Sequence, residues 1–191
     1  MAASQLGREQ WVGAALDALI EGGMEAIRVE KLARDLGVTK GSFYWHFKNR
    51  AALVEALLEL WEEQGTTEVI CALEAQDVSA QEKLMMLISV AWQDLDMIRA
   101  ESILQAAAAR NHGQVVEIHG RITRRRLEYT TSLYCEMGLG EEEATHWART
   151  AYGLFLGTLQ MVATMPELFP EQQALTAFTQ HLERVLMPAV D

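Results

Sequence analysis

The segment Gly37-Val-Thr-Lys-Gly-Ser-Phe-Tyr-Trp-His-Phe-Lys48 gathers the hydroxyls of Thr39, Ser42 and Tyr44, the ammonium groups of Lys40 and Lys48 and the imidazole of His46. Such donors are poor packing groups but good partners for phosphate oxygens and base edges of a nucleic-acid duplex. Thr39, Tyr44, His46 and Lys48 suit phosphates, and Lys40 has the reach for a guanine edge. Gly41 permits close backbone approach, and Ser42 suits either a base or a phosphate. Trp45 either packs on a sugar or thymine methyl or bolts the segment to the helix that follows. Catalytic patterns are missing: His46, His112, His119, His146 and His181 form no HExxH, neither Cys71 nor Cys135 has a nearby His, and Gly138 and Gly140 fall in a helix connection. No catalytic residue, metal or cofactor is therefore expected, and the protein is not expected to be an enzyme.

Presenting that set requires two short helices and a tight turn. Val29, Leu32, Ala33 and Leu36 share one side of a predicted helix over 29–36; Gly37-Val38 is the turn; a second helix spans about 40–46, with Thr39 as its cap. Val38, Phe43 and Phe47 are spaced to face inward, so the helix-turn-helix unit runs over about 29–47. Before it, Trp11, Ala14, Ala15, Ala18 and Leu19 predict a helix from Leu6 to Glu21, ended by Gly22-Gly23. After it, Asn49 caps a helix running to Leu73, with Leu53, Leu57, Leu60 and Trp61 inward. Further helices are predicted near 79–92, 96–109, 114–137, 141–165 and 171–187. Strand alternation is absent, and the fold class is all-α.

Composition fits a folded chain with a separate head. Half of the 191 residues are hydrophobic, which excludes disorder, and the formal charge is −11. Seven Lys and Arg face six Asp and Glu through Arg50, against nine and 21 beyond it. Between Lys31 and Arg50 the bases Lys31, Arg34, Lys40, Lys48 and Arg50 meet one acid, Asp35, and this local balance matters more for a duplex partner than net charge. Cys71 and Cys135 are expected to be reduced, partly buried core thiols. No basic-then-apolar leader opens the chain, and the apolar stretch 151–165 is too short for a membrane, so a soluble cytoplasmic protein is expected.

The 37–48 segment, with the helix before it and the Leu53-rich helix after it, resembles the recognition-helix signature of the TetR (tetracycline-repressor) family of bacterial transcription regulators. The resemblance covers about Arg8 to Leu60. Two departures occur: Ile27-Arg28 stands where the family often has a capping Ser or Thr, leaving Arg28 able to reach a phosphate, and Arg50-Ala51-Ala52 forms no capping box. The resemblance implies a three-helix DNA-binding head over residues 6–52 and a helical ligand-binding and dimerisation domain over 53–191. It also implies a homodimer on a palindromic operator, a recognition helix per subunit in successive major grooves, and a small apolar or amphipathic effector. The long helix beginning at Asn49 is the implied lever between the two domains.

Within the body, Gly153 and Gly157 lie four apart on one helix face and allow close helix approach. Together with Tyr152, Leu156, Phe178, Leu182 and Val185 they form the expected dimer interface, unless these helices are internal core. Trp61, Met85, Met86, Trp92, Met97, Ile103, Tyr129 and Tyr134, with Ile98, Leu104 and Met137 beside them, are either plain core or the walls of a ligand pocket. Arg121, Arg124, Arg125 and Arg126 are expected to pair with Glu117 and Glu128 on their own helix, an anionic ligand being the alternative. The expected function is a ligand-responsive repressor. A DNA-bound adaptor whose body binds another protein, and a small-molecule carrier with a vestigial head, are the alternatives.

Overall fold

The structure is a computed structural model that describes residues 7–188. Leu6, placed in the expected first helix, lies outside the described residues, as do the last three. Helix α1 (Arg8–Gly22) buries Trp11, Ala15, Ala18 and Leu19 along one face and stops at Gly23, where φ is 70°. Helices α2 (Val29–Asp35) and α3 (Lys40–Tyr44) form the helix-turn-helix. Gly37 reverses the chain at φ 68°, its N–H bonding the Arg34 carbonyl at 3.1 Å while the Val38 N–H returns to Ala33 at 2.9 Å. Thr39 occupies the N-cap of α3, but its side chain makes no capping bond there. Helix α4 (Arg50–Glu62) is capped as expected, Asn49 Oδ1 accepting the Ala52 N–H at 2.9 Å.

The expected single helix from Asn49 to Leu73 is interrupted. A π turn over Glu63–Thr67 separates α4 from α5 (Glu68–Glu74). Gly65-Thr66-Thr67 are weak helix formers, and a side chain from elsewhere satisfies the widened turn: Arg126 donates to the Gly65 carbonyl at 3.2 Å and to Thr66 Oγ1 at 3.0 Å. The remaining helices α6 (Ala80–Val90), α7 (Leu95–Ala109), α8 (Gln114–Glu136), α9 (Glu141–Thr164) and α10 (Gln172–Val185) fall close to their expected bounds. The described residues contain no strand, and none of their helices is long and apolar enough to cross a membrane.

The apolar core of the head does not stop at the head. Trp11, Leu19, Ile27, Leu32, Phe43, Phe47, Leu53 and Leu57 belong to one cluster with Ala100, Leu104 and Ala107 of α7 and Val115, Ile118 and Ile122 of α8. Trp11 meets Phe43 edge-on at 5.2 Å, and Phe47 stacks on Phe43. Arg50 fastens the start of α4 to the segment below the recognition unit, donating to the Ile27 carbonyl at 2.7 Å and to the Met24 carbonyl. Two smaller clusters form the far end, one around Leu84, Leu133, Tyr134, Ala144 and Ala148, the other around Trp92, Ile98, Leu159 and Leu175.

Between head and far end lies a buried polar node. Glu101 of α7 accepts from Trp61 Nε1 of α4 at 3.0 Å and from Arg126 Nη2 of α8 at 3.2 Å. Arg126 Nη1 approaches its other oxygen at 3.2 Å, and His119 Nε2 at 3.6 Å. Burial alone would push the Glu101 carboxyl up; the Arg126 charge and the polar contacts of His119 and Arg126 outweigh it and hold the group at about 2. Cys71 and Cys135 correct the expectation of buried thiols: both are free and exposed. Cys135 follows the fully buried Tyr134, and one helical step rotates the next side chain away from the core.

Because Gly37 has no neighbour where a Cβ would stand, Gly37→Ala carries only the backbone cost of its positive φ, about 1 kcal/mol in urea unfolding. Glu101→Leu, leaving Arg126 buried without its counter-charge, should cost about 3–5 kcal/mol by the same measurement. The double variant Glu101→Leu/Arg126→Met should regain most of that loss.

Candidate DNA interface and ligand cavity

Helix α3 is held from beneath by Phe43 and Phe47, both buried, with Val38 half-buried at the turn. The opposite face carries the expected set: Thr39, Lys40, Gly41, Tyr44, Trp45 and Lys48 are exposed, and Ser42 and His46 are half-buried. Trp45 is 87 % exposed, which excludes its alternative role as a bolt to the following helix. An indole left this open to water has contact area to offer a partner. Tyr44, 56 % exposed, is braced edge-on against Phe43 at 5.2 Å.

The basic residues of the head divide by partner. Lys31 pairs with Glu21 at 3.1 Å and Asp35 at 3.4 Å, and Arg34 with Asp35 at 3.6 Å. Lys40 is paired with Glu30 of α2, a contact not read from the sequence, which lowers the Glu30 carboxyl and raises the Lys40 ammonium. Arg50 is spent on backbone carbonyls, and Arg28 donates to the Glu25 carbonyl at 3.0 Å from an exposed position. Lys48 is exposed and pairs with no carboxylate among the described residues.

In the body, a cavity of about 360 Å³ opens between α4–α5, α6, α7, α8 and α9. Trp61, Trp92, Met97 and Tyr129 of the expected set line it, as does Ile98. Four others are corrected. Met85 and Met86 are 37 % and 42 % exposed because α6 turns Leu84, Leu87 and Ile88 toward the cavity instead. Ile103 packs against the head cluster, and Tyr134 is fully buried in a far-end cluster, where its hydroxyl donates to the Leu186 carbonyl at 2.9 Å. Leu104 joins the head core and Met137 packs on the Tyr134 cluster.

Tyr152 and Leu182, expected at a dimer interface, both line the cavity, and Leu182 is buried. The Tyr152 hydroxyl meets Thr123 Oγ1 at 2.9 Å, and burial pushes its pKa up. The others of that set divide: Gly153, Gly157 and Val185 are exposed, while Leu156 and Phe178 are half-buried. A Cβ built on either glycine would meet nothing within 4 Å.

The arginine cluster is also corrected. Arg121 forms a forked pair with Glu62 of α4, its Nε at 2.8 Å and 3.1 Å from the two oxygens and its Nη2 closing the fork, rather than pairing along its own helix. Arg126 turns inward to Glu101, and Arg124 and Arg125 stay exposed. The pairs are cross-helical because α8 packs against α4 and α7, which bring Glu62 and Glu101 within reach. Sequence reading missed Glu101, Phe155, Leu159, Val69 and Ile70 as cavity residues; only Arg126 carried a signal, through the cluster around it.

Comparison with known proteins agrees with this geometry. Residues 12–57 match the family model of bacterial regulatory proteins, tetR family. The tetracycline repressor protein class C of Escherichia coli is 45% identical over 56 residues, which are 29% of this chain and 26% of that protein. The chain thus spans about a quarter of the length of the curated relatives it matches. Solved structures extend the likeness in fold to the whole chain. A TetR transcriptional regulator from Legionella pneumophila has a TM-score of 0.78 at 14% identity, covering 98% of this chain and 100% of that one. The regulator FadR from Bacillus subtilis, in complex with stearoyl-CoA, has a TM-score of 0.69 at 19% identity, covering 97% and 100%. The head thus matches the TetR family of bacterial regulatory proteins in sequence, and the whole chain is similar in fold to solved structures of TetR regulators.

Proposed function

We propose that this protein is a ligand-responsive transcriptional repressor of the cytoplasm, acting by binding rather than by chemistry. Two copies bind a palindromic DNA operator, and a small, mainly apolar effector in the body cavity releases it. The observation that carries this reading is the placement of an exposed polar helix, with Trp45 at its tip, on an apolar core shared with helices that wall the cavity. Residues 6–52 form the DNA-binding domain and 53–191 the ligand-binding and dimerisation domain.

On DNA, Thr39, Tyr44, His46 and Lys48 hold phosphates, with Arg28 at the flank, while Lys40, Gly41, Ser42 and Trp45 face base edges and methyl groups. Lys40 must exchange Glu30 for its DNA partner, so its contribution is a difference between two ionic contacts. Helix α4 carries cavity occupancy to the head. Its first residue holds the Met24 and Ile27 carbonyls, Trp61 is bonded to Glu101, and the π turn after it is bonded to Arg126. An effector that prefers one setting of these contacts shifts operator affinity by its differential binding energy, of order 1–3 kcal/mol. A second copy packs on Gly153, Gly157, Leu156, Phe178 and Val185, a reading supported by the exposure of Gly153, Gly157 and Val185.

The test is to select bound sequences from a random DNA pool and follow affinity against salt. Affinity should fall steeply as salt rises; a protein that selects no sequence and shows no salt-dependent binding is not a DNA-binding regulator. Lys48→Ala should weaken binding to every sequence and reduce the slope of log affinity on log salt by about one. Gly157→Leu, which meets no clash within one chain, should convert the dimer to monomer in sedimentation while leaving helix content unchanged.

A further inference from the structure

Among the described ion pairs of the head, one joins the two helices of the recognition unit. Lys40 Nζ, at the start of α3, donates to Glu30 Oε1, in the first turn of α2. The acids nearby on α1 and α2 are engaged elsewhere, Glu21 with Lys31 and Asp35 with Lys31 and Arg34. Glu30 and Lys40 both face solvent, their side chains 68 % and 49 % exposed. The backbone beneath them is held by the turn at Gly37, by Val29 and Leu32 buried under α2 and by Phe43 buried under α3. Rotation of two long side chains is therefore enough to part the pair, and neither helix needs to move.

A major groove that receives Lys40 receives Glu30 beside it. The Glu30 carboxyl, held below the ordinary carboxylate range by the Lys40 contact, is ionised at neutral pH. Once the ammonium turns to a base, this carboxylate stands among phosphates of like charge and needs a donor. On the major-groove edges of the bases the donors are the amino groups of cytosine and adenine. An ammonium favours guanine, whose N7 and O6 are adjacent acceptors, over adenine, whose N7 adjoins an amino group that repels it. The cytosine paired with that guanine places its N4 about 2.9 Å from O6, the length of the hydrogen bond between them, and its second N4–H points into the groove. Two side chains that touch in the free protein thereby meet neighbouring atoms of one base pair, the ammonium on an acceptor and the carboxylate on a donor.

We propose that Glu30 is a specificity-determining residue: when Lys40 moves to the guanine of a G·C pair in the operator, the Glu30 carboxylate accepts the N4 amino group of the cytosine in the same pair. This rests on the reading of the α3 surface as a DNA contact, and it names the base pair that part of the surface takes.

Selection from a random DNA pool, run in parallel with the unaltered chain, Lys40→Ala and Glu30→Ala, tests it. Both variants should relax the choice of base at the same G·C pair and leave the other selected positions unchanged. A second measurement needs no variant to fold. In the selected operator that cytosine is replaced by N4-methylcytosine, which still pairs with guanine but carries a methyl group where the free N4–H stood. The unaltered chain should then bind about tenfold more weakly in fluorescence anisotropy of labelled DNA, while Glu30→Ala should bind almost as before. The proposal is overturned if Glu30→Ala keeps that position sharp, if the two variants relax different pairs, if the shared position is A·T, or if the methyl group weakens both proteins equally. A change in Glu30→Ala that is alike on all sequences also overturns it. A uniform gain makes Glu30 a mere competitor for Lys40, and a uniform loss makes it only a first-turn acid suited to the dipole of α2. Absence of any selected sequence and of salt-dependent binding refutes the DNA-binding reading and this role with it. A selected operator that Glu30→Ala reads as the unaltered chain does refutes the role of Glu30 alone.

Discussion

Three helices meet at the carboxylate of Glu101. Trp61 reaches it from α4, Arg126 from α8, and Glu101 itself stands on α7 between Ala100 and Leu104, both part of the head's core. A charge buried this deeply is tolerated only because its counter-charge and hydrogen-bond donors are fixed in place, which makes the relative setting of the three helices an electrostatic requirement as well as a packing one. Trp61, Glu101 and Arg126 also line the cavity. The cavity is thus walled in part by the residues that hold α4 against the rest of the body.

The π turn belongs to this arrangement. Within the widened turn the Gly65 carbonyl accepts from Arg126. One arginine thereby serves the carboxylate of α7, the backbone of the turn and the hydroxyl of Thr66. At the other end of α4, Arg50 does similar work on the backbone carbonyls below the recognition unit. The helix is tied at both ends by guanidinium groups whose planar, multi-donor geometry suits carbonyl and carboxylate acceptors. The recognition surface is built on the opposite principle, with Trp45 and Lys48 left open to solvent.

Much of this was legible in the sequence. The spacing of Trp11, Ala15, Ala18 and Leu19, the glycines at 23 and 37, and Asn49 before α4 placed the head helices closely, because each signal acts within a turn or two of its own position. Phe43 of α3 and Phe47 just beyond it as the buried side, and the polar residues opposite them, followed from the same short-range geometry. The body helices were equally readable. Their faces were less so: Met85 and Met86 looked like pocket residues by type, yet α6 presents Leu84, Leu87 and Ile88 inward, and Tyr152 and Leu182 turned from an expected interface to the cavity wall.

Residue type and periodicity say that a helix has a buried stripe, but the partner against which the stripe lies depends on how helices cross. Arg126 illustrates the limit. Sequence placed it on a helix in a run of arginines expected to pair, as a cluster, with Glu117 and Glu128 of that helix; the fold instead set it against Glu101, 25 positions earlier, and against the turn at Gly65, 61 positions earlier. The helical class, the recognition unit and its outward side chains were determined locally, by backbone sterics and the period of the helix. The cavity, the buried Glu101–Arg126 pair and the cross-helix Arg121–Glu62 pair were decided by tertiary packing, because no local rule relates side chains so far apart in the chain until the helices are laid side by side.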